Sequence, residues 1–192
     1  MTPKHTPNVT AYVQSTTAPW TALLVITARQ RVESVVRPPT GFALRIVNGR
    51  HCRTPAKLFA EFAQALEFPN YFGHNWDALE ECLADLEWLP AKGYIVLITD
   101  AECVLPGNDE EYETFLEILR DAGEAWGNGQ AGTGAQRATP FHVLFAVTKP
   151  EKAGKAHWGM QDIPTGPARK TKTQQRSPTH RPTNGSRSFR GK

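Results

Sequence analysis

The sequence predicts an α/β domain with a three-stranded parallel sheet packed with helices, in the order β-α-α-β-α-β. Three observations favour this fold class. Short apolar runs alternate with stretches whose apolar residues recur at helical spacing. The run Tyr94–Thr99 is almost continuously apolar, as expected for a strand covered on both faces of a parallel sheet. Strands separated by helices favour parallel pairing with right-handed crossovers.

Charge divides the chain of 192 residues into three predicted parts. Residues 1–40 form an N-terminal extension of net charge +3, which the break RPPTG ends. Residues 41–148 form the domain, and residues 149–192 form a basic tail. The net charge is −9 over 41–147 and +9 over 148–192. The tail is poor in apolar residues, so we expect it to be disordered.

Each element has its own local signal. The run over 20–28 is apolar and partly β-branched, which predicts an additional strand within the extension. Thr54 and Pro55 suit the N-cap and first position of a helix. Asn75 can cap a second helix. The predicted elements of the domain are a strand over 42–48, a helix from Thr54 to before Pro69, a helix from Asn75 to about Leu86, a strand over 94–99, a helix over 109–126 and a strand over 141–147.

The helix that begins at Asn75 has one apolar and one acidic face. At about 100° per residue, one side collects Leu79, Cys82, Leu83 and Leu86. No Lys or Arg lies between Asn75 and Trp88. The acidic residues of this stretch are Asp77, Glu80, Glu81, Asp85 and Glu87.

A single sign of charge along one face lowers the stability of the helix itself. The pairs Asp77–Glu81 and Glu81–Asp85 are like charges four residues apart, which destabilise a helix. A solvated acidic face is the simplest alternative. The single sign of the charge, together with the flanking aromatic residues, favours a surface that meets a cation-lined partner. Those aromatic residues are Tyr71, Phe72, Trp76 and Trp88.

Enzymatic motifs are missing from the sequence. There is no GxSxG, HExxH or phosphate-binding loop, and the six histidines are scattered. Asp77 and Glu81 lie on an open helix rather than in an apolar pocket that separates carboxyl pKa values. We therefore predict a protein that is not an enzyme, with no cofactor and no metal.

Other sequence features bear on the compartment. Cys52, Cys82 and Cys103 show no CxxC spacing, which favours reduced thiols in the cytoplasm. No run of 18 apolar residues predicts a membrane span, and the first residues lack a signal-peptide pattern.

The stretch YFGHNWDAL, followed by CL, DL and W, resembles the barstar family of intracellular inhibitors of small guanyl-specific ribonucleases. The resemblance covers roughly 42–147. It implies a barstar-like fold and a ribonuclease inhibitor or immunity protein. Such a protein blocks the active site of a cognate small secreted ribonuclease or RNase toxin with its acidic helix. We expect it to act as a monomer.

The resemblance also implies site residues. Tyr71 matches the loop tyrosine that packs on the enzyme, and Asp77 matches the first inhibitory aspartate. Glu81 stands where the family has the central aspartate that replaces the substrate phosphate. Glu80 and Ala84 stand where the best-known member has tryptophan and threonine. On the predicted helix over 109–126, Asp121 matches an acid that faces the enzyme. The family has a further acid at the position of Ala125, and Glu124 lies one residue before it. The predicted partner-binding set is Tyr71, Asp77, Glu80, Glu81, Ala84, Asp85, Asp121 and Glu124.

Two other functions stay open at this level. The same fold could be a regulatory interaction module for a different basic protein, with the basic tail contacting nucleic acid. The chain could also bind nucleic acid mainly through that tail. The sequence does not name the partner.

Overall fold

The computed structural model describes residues 9–26, 36–132 and 137–147, and the backbone of 161–162. The strands are β1 (Thr21–Val25), β2 (Ala43–Asn48), β3 (Tyr94–Thr99), β4 (Phe141–Val147) and β5 (Gln161–Asp162). The helices are α1 (Val9–Val13), α2 (Pro55–Ala65), α3 (Trp76–Asp85) and α4 (Asp109–Gly127). Two short 3-10 turns lie at Gly49–His51 and Ala101–Cys103.

The sheet is parallel throughout and has the strand order β2-β3-β4-β1-β5. The prediction of three strands is therefore wrong in number. β1 adds a fourth strand beside β4, where Thr21 pairs with Val143, and the two residues of β5 pair with the other edge of β1. β1 forms because its sequence, TALLV, is apolar and partly β-branched, which suits a covered strand.

The predicted disorder of 149–192 concerns residues that lie outside the described ranges, apart from β5.

Local capping signals define the starts of α2 and α3 as predicted. The Thr54 side chain accepts a hydrogen bond from Lys57 N, with Pro55 at the start of α2. The Asn75 side chain accepts one from Ala78 N at 2.8 Å. These bonds satisfy backbone donors that the first turn of a helix leaves unpaired. Both predicted N-caps are confirmed.

Helices α2, α3 and α4 cover one face of the sheet. The aromatic rings of Phe62 on α2 and Phe115 on α4 meet edge to face at a centroid distance of 5.4 Å. Val96 and Phe145 contribute from the sheet, because alternate residues of a strand point to the same face. The apolar stripes of the three helices therefore share one core.

The N-terminal residues cover the opposite face. Val13 of α1 is fully buried and lies in one cluster with Leu24, Leu97 and Leu144. The extension thus contributes a strand to the sheet and a short helix, α1, that packs on its second face.

A polar contact also anchors the extension. The ring of His142 on β4 is completely buried, and its Nε2 lies 2.8 Å from Ser15 O. Trp20 packs against Gly123 and Gly127 of α4, where any larger residue would collide with the indole. The close approach explains why glycine occupies both positions.

No helix in the described part of the chain is long and apolar enough to cross a membrane.

Candidate functional site

A tight turn before α3 positions the first candidate residue. Phe72 N donates to Pro69 O at 3.0 Å, and His74 adopts a left-handed conformation with φ of 50°. Phe72 is buried beneath the turn, whereas Tyr71 is 73 % exposed. The turn therefore holds an aromatic ring at the surface beside the helix.

Helix α3 presents the predicted acidic face. Asp77, Glu80 and Glu81 are exposed, and the leucines and cysteine of the other face are buried. Asp77 lies in the first turn, where the helix dipole favours a negative charge. Glu81 follows one turn later on the same side of the helix.

A cleft of about 210 Å³ lies between the turn and α3. It combines apolar walls with two carboxylates, those of Glu81 and Asp85. The remaining lining residues are Tyr71, Phe72, Ala78 and Cys82. Burial, with added repulsion from Asp85 and Glu81, raises the pKa of the Cys82 thiol to about 11. The thiol is therefore protonated at neutral pH, and the negative charge in the cleft comes from the carboxylates.

Asp85 differs from the other acids of α3. Its side chain is half-buried, and its Oδ1 atom is shielded from solvent with no hydrogen-bond partner among the described residues. Partial desolvation and the charge of Asp85 raise the pKa of Tyr71 above its usual value. Asp85 is also the last residue of α3, where the helix dipole disfavours a negative charge.

Two tryptophans tie α3 to α4. Trp76 Nε1 donates to Glu111 Oε2 at 2.6 Å near the start of both helices. Trp126 Nε1 donates to Leu83 O at 2.8 Å near their ends. The helices therefore lie side by side in the same direction, and α3 rests on a fixed support.

Two candidate residues on α4, Asp121 and Glu124, are exposed. At about 100° per residue, Asp121 lies nearer the flank that contacts α3. Glu124 lies about 60° further round, towards the flank where Trp20 packs. Of the two, Asp121 is therefore better placed to act together with α3.

The negative charges of these helices are not neutralised within the described parts of the chain. No carboxylate of α3 or α4 forms an ion pair there. The ion pairs found are Arg45–Glu67, Arg50–Asp100 and His51–Glu61. Among the described residues, the carboxylates of α3 and α4 therefore keep their charge without a cationic partner.

The sequence was compared with models of known protein families. Residues 42–146, more than half of the chain, match the family model described as Barstar (barnase inhibitor). The chain belongs to the Barstar family. The match spans β2, β3, nearly all of β4, α2, α3 and α4, and it leaves out α1 and β1. No curated protein is significantly similar to the chain in sequence.

Barstar-family membership gives the chain a barnase-inhibitor-like role in general. Members of the family are inhibitors rather than enzymes, and the family implies a protein partner of the ribonuclease kind. The matched range contains both the acidic helix α3 and the tyrosine turn.

The structure brings together only part of the predicted partner-binding set. Tyr71, Glu81 and Asp85 share the cleft, whereas Asp77 and Glu80 lie on the exposed face of α3 outside it. Ala84 is half-buried, and its backbone oxygen accepts from Gly132 N at 2.7 Å, so it also holds the loop that follows α4. Asp121 and Glu124 lie on α4, outside the cleft. The binding roles of all eight residues stay predictions.

Sequence reasoning missed three residues of the cleft. Phe72, Ala78 and Cys82 line it but were left out of the predicted partner-binding set. Phe72 was predicted only as an aromatic residue that flanks the acidic face, and periodicity placed Cys82 on the apolar face, with Ala78 at its edge. Ala78 and Cys82 are four residues apart on the boundary between the apolar and acidic faces. That boundary position is the signal that could have identified them.

The remaining candidates for chemistry among the described residues are the cysteines and histidines. Cys52 and Cys82 are buried free thiols, and Cys103 is a half-exposed free thiol. Within the described ranges, no group of three His, Cys, Asp or Glu side chains is arranged to hold a metal ion. The described histidines lie apart: His51 pairs with Glu61, His74 is exposed, and His142 is buried.

Proposed function

We propose that this protein is a cytoplasmic ribonuclease inhibitor or immunity protein. It acts as a monomer and blocks the active site of a cognate small secreted ribonuclease or RNase toxin with the acidic face of α3. One observation carries the proposal. A helix bearing Asp77, Glu80, Glu81 and Asp85, none of them in an ion pair with another described residue, borders the cleft under Tyr71 in a chain of the Barstar family.

The mechanism follows from the chemistry of the target. A ribonuclease must bind and stabilise an anionic phosphodiester, so its active site gathers cationic side chains. A rigid helix with several carboxylates can enter that cleft and pair with those cations. RNA is then excluded without any chemical step. The opposite charges also accelerate encounter, and they make association sensitive to salt.

Individual roles follow from position. Glu81 projects from the middle of α3 at the mouth of the cleft and would take the place of the substrate phosphate. Asp77 would contact a second cation one turn earlier. Tyr71 would pack its exposed ring on the enzyme, because aromatic residues bury a large area with little loss of side-chain entropy. Asp121 would extend the acidic surface onto α4.

The test is an inhibition assay against a panel of small microbial guanyl-specific ribonucleases with the full chain. We expect one-to-one inhibition of at least one enzyme that weakens as salt is raised. Glu81→Ala should weaken inhibition by about thirtyfold or more, since removing one partner of a buried charged pair costs roughly 2–5 kcal/mol.

Glu113→Ala is the matched control for that assay. Glu113 is also an exposed acid, but it lies on α4 about 80° from Asp121, on the side away from α3. Unchanged inhibition by Glu81→Ala, or equal losses in the two variants, would reject the proposed role of Glu81. Failure to inhibit any enzyme of the panel would favour the interaction module with a different basic partner.

A further inference from the structure

We propose that His142 acts as an acid-sensitive anchor for residues 9–15 of the N-terminal extension. At mildly acidic pH, protonation of its ring releases these residues from the face of the sheet that α1 covers, while β1 and the core under α2, α3 and α4 stay folded. The anchor joins the family-matched region, which contains His142, to a segment that lies outside the match. The proposal goes beyond the proposed function, because it involves neither the acidic face of α3 nor Tyr71.

The hydrogen bonding of His142 fits only the neutral ring. His142 is completely buried, and its Nε2 lies 2.8 Å from Ser15 O. Because a carbonyl oxygen can only accept, Nε2 carries the proton of the neutral ring. Nδ1 is shielded from solvent and has no hydrogen-bond partner among the described residues. A second proton on Nδ1 would therefore add a buried charge and a donor without an acceptor, both of which are unfavourable.

The side chains packed around His142 are neutral. Its ring lies 4.6 Å from the ring of Tyr12 on α1 and 5.8 Å from that of Trp20, measured between centroids. Ile95 of β3 pairs with it in the sheet. Tyr12 is the titratable group among these three, and burial raises its pKa, so the phenol is uncharged throughout the acidic and neutral range. None of these side chains can compensate a positive charge on the imidazole by pairing with it.

The contacts of His142 make the docking of the extension depend on pH. Burial lowers the pKa of His142, although the carbonyls of Ser15 and Pro19 favour the charged form, and Pro19 O already accepts from Tyr12 Oη at 2.8 Å. A released ring has its ordinary pKa of about 6.5. The ratio of docked to released molecules is therefore highest above about pH 6.5. It falls by up to about tenfold for each pH unit below that value, until the pKa of the docked ring is reached.

Residues 9–15 can leave without unfolding of the domain. Their buried side chains, Val9, Tyr12 and Val13, belong to an apolar cluster separate from the core under the three large helices. α1 has five residues, which is too few for a helix to persist alone in water. β1, in contrast, pairs with β4 along its whole length, and Trp20 before it packs against α4. The release should therefore stop before Trp20, as the local unfolding of a weakly held segment.

Release would uncover apolar surface on the sheet. Leu24, Leu97 and Leu144 lie in the cluster that α1 covers, and each is at most 2 % exposed in the docked protein. Exposed apolar surface of this kind binds apolar dyes. Dye binding at acidic pH therefore provides a second signal for release, independent of the signals of the extension itself.

The experiment is a titration of the full chain from about pH 7.5 to about pH 4.5, followed by NMR. The amides of Tyr12 and Val13 report the extension, those of Phe62 and Phe115 report the main core, and the Cε1 proton of His142 reports its titration. We expect the docked signals of the extension to decline below about pH 6.5 in step with the protonation of His142, while those of the core keep their intensity. Binding of anilinonaphthalene sulfonate should increase over the same range.

Two variants complete the test. His142→Gln keeps a donor that can reach Ser15 O but takes up no proton, so residues 9–15 should stay docked at about pH 5. His74→Asn removes an exposed histidine and should release them as the wild type does. Release in His142→Gln, docked signals that persist in the wild type to about pH 4.5, or simultaneous loss of the extension and core signals would each overturn the proposal. If His142→Gln does not fold, the wild-type titration alone decides between these outcomes.

Discussion

Replacing Leu24 by alanine tests whether β1 is an integral part of the domain. Leu24 is 2 % exposed and packs with Leu97 and Leu144 on the face of the sheet opposite the three large helices. The truncation removes three buried carbon atoms, which costs about 2.4 kcal/mol at about 0.8 kcal/mol per carbon. The cavity left behind raises the expected loss to about 3–4 kcal/mol. That is a large part of the roughly 5–15 kcal/mol that stabilises a typical domain.

Urea denaturation followed by circular dichroism measures this loss as a change in the free energy of unfolding. The midpoint of thermal unfolding should fall by about 6–16 °C, at roughly 2–4 °C per kcal/mol for a chain of this size. Val25→Ala is the matched control, because Val25 is the next residue of β1 and is 45 % exposed. We expect that control to lose less than about 1 kcal/mol. Similar losses in the two variants would refute the packing of β1 described above.

The same packing determines which protein should be assayed. A fragment that begins at residue 41 lacks β1 and leaves the edge of β4 without its partner strand. An exposed strand edge promotes pairing with other chains and aggregation. If such a fragment failed to inhibit, the cause could be misfolding rather than the role of α3. The inhibition assay should therefore use the full chain.

Two further predictions concern stability. Asn75→Ala should lower the free energy of unfolding by about 1 kcal/mol, because it removes the side-chain acceptor that caps α3. Urea denaturation measures the loss, and a loss below about 0.3 kcal/mol would contradict the prediction. Burial lowers the pKa of His142. The unfolded chain takes up a proton near pH 6.5 while the folded protein resists it, so the free energy of unfolding should fall as pH drops below about 6.5. That slope should flatten in His142→Gln and persist in His74→Asn, in which an exposed histidine is replaced.

Much of the fold could be predicted from the sequence because its signals are local. Thr54 and Asn75 cap helices within a few residues of themselves, and the run Tyr94–Thr99 is apolar enough to indicate a covered strand. The place of β1 could not be predicted in the same way. β1 pairs with β4, which lies more than 100 residues further along the chain, and no local pattern reports such pairing. The local pattern over 20–28 indicated a strand but not its pairing, so the predicted sheet had three strands, whereas the described sheet has five.

The acidic face of the site was predictable, but the cleft was not. Helical periodicity places Asp77 and Glu81 on one exposed side, and the structure agrees. The cleft depends on how the turn at Tyr71 lies against α3, which is a tertiary property. Asp85 is only about 60° from Cys82 around the helix axis, so it falls on the boundary of the two faces. Periodicity grouped it with the exposed acids, whereas the structure half-buries it.

The environment of Asp85, a predicted partner-binding residue, predicts that removing its charge stabilises the protein. Asp85→Asn relieves the repulsion from Glu81, which is worth about 0.2–0.5 kcal/mol, and the unfavourable helix-dipole interaction, which is worth about 0.3–1 kcal/mol. We therefore expect the free energy of unfolding to rise by about 0.5–1.5 kcal/mol at low salt, and by less at high salt. Urea denaturation at two salt concentrations measures the gain. If Asp85 served only to stabilise the fold, its replacement would lower the free energy of unfolding. A variant that is less stable at both salt concentrations would contradict this prediction and show that Asp85 stabilises α3.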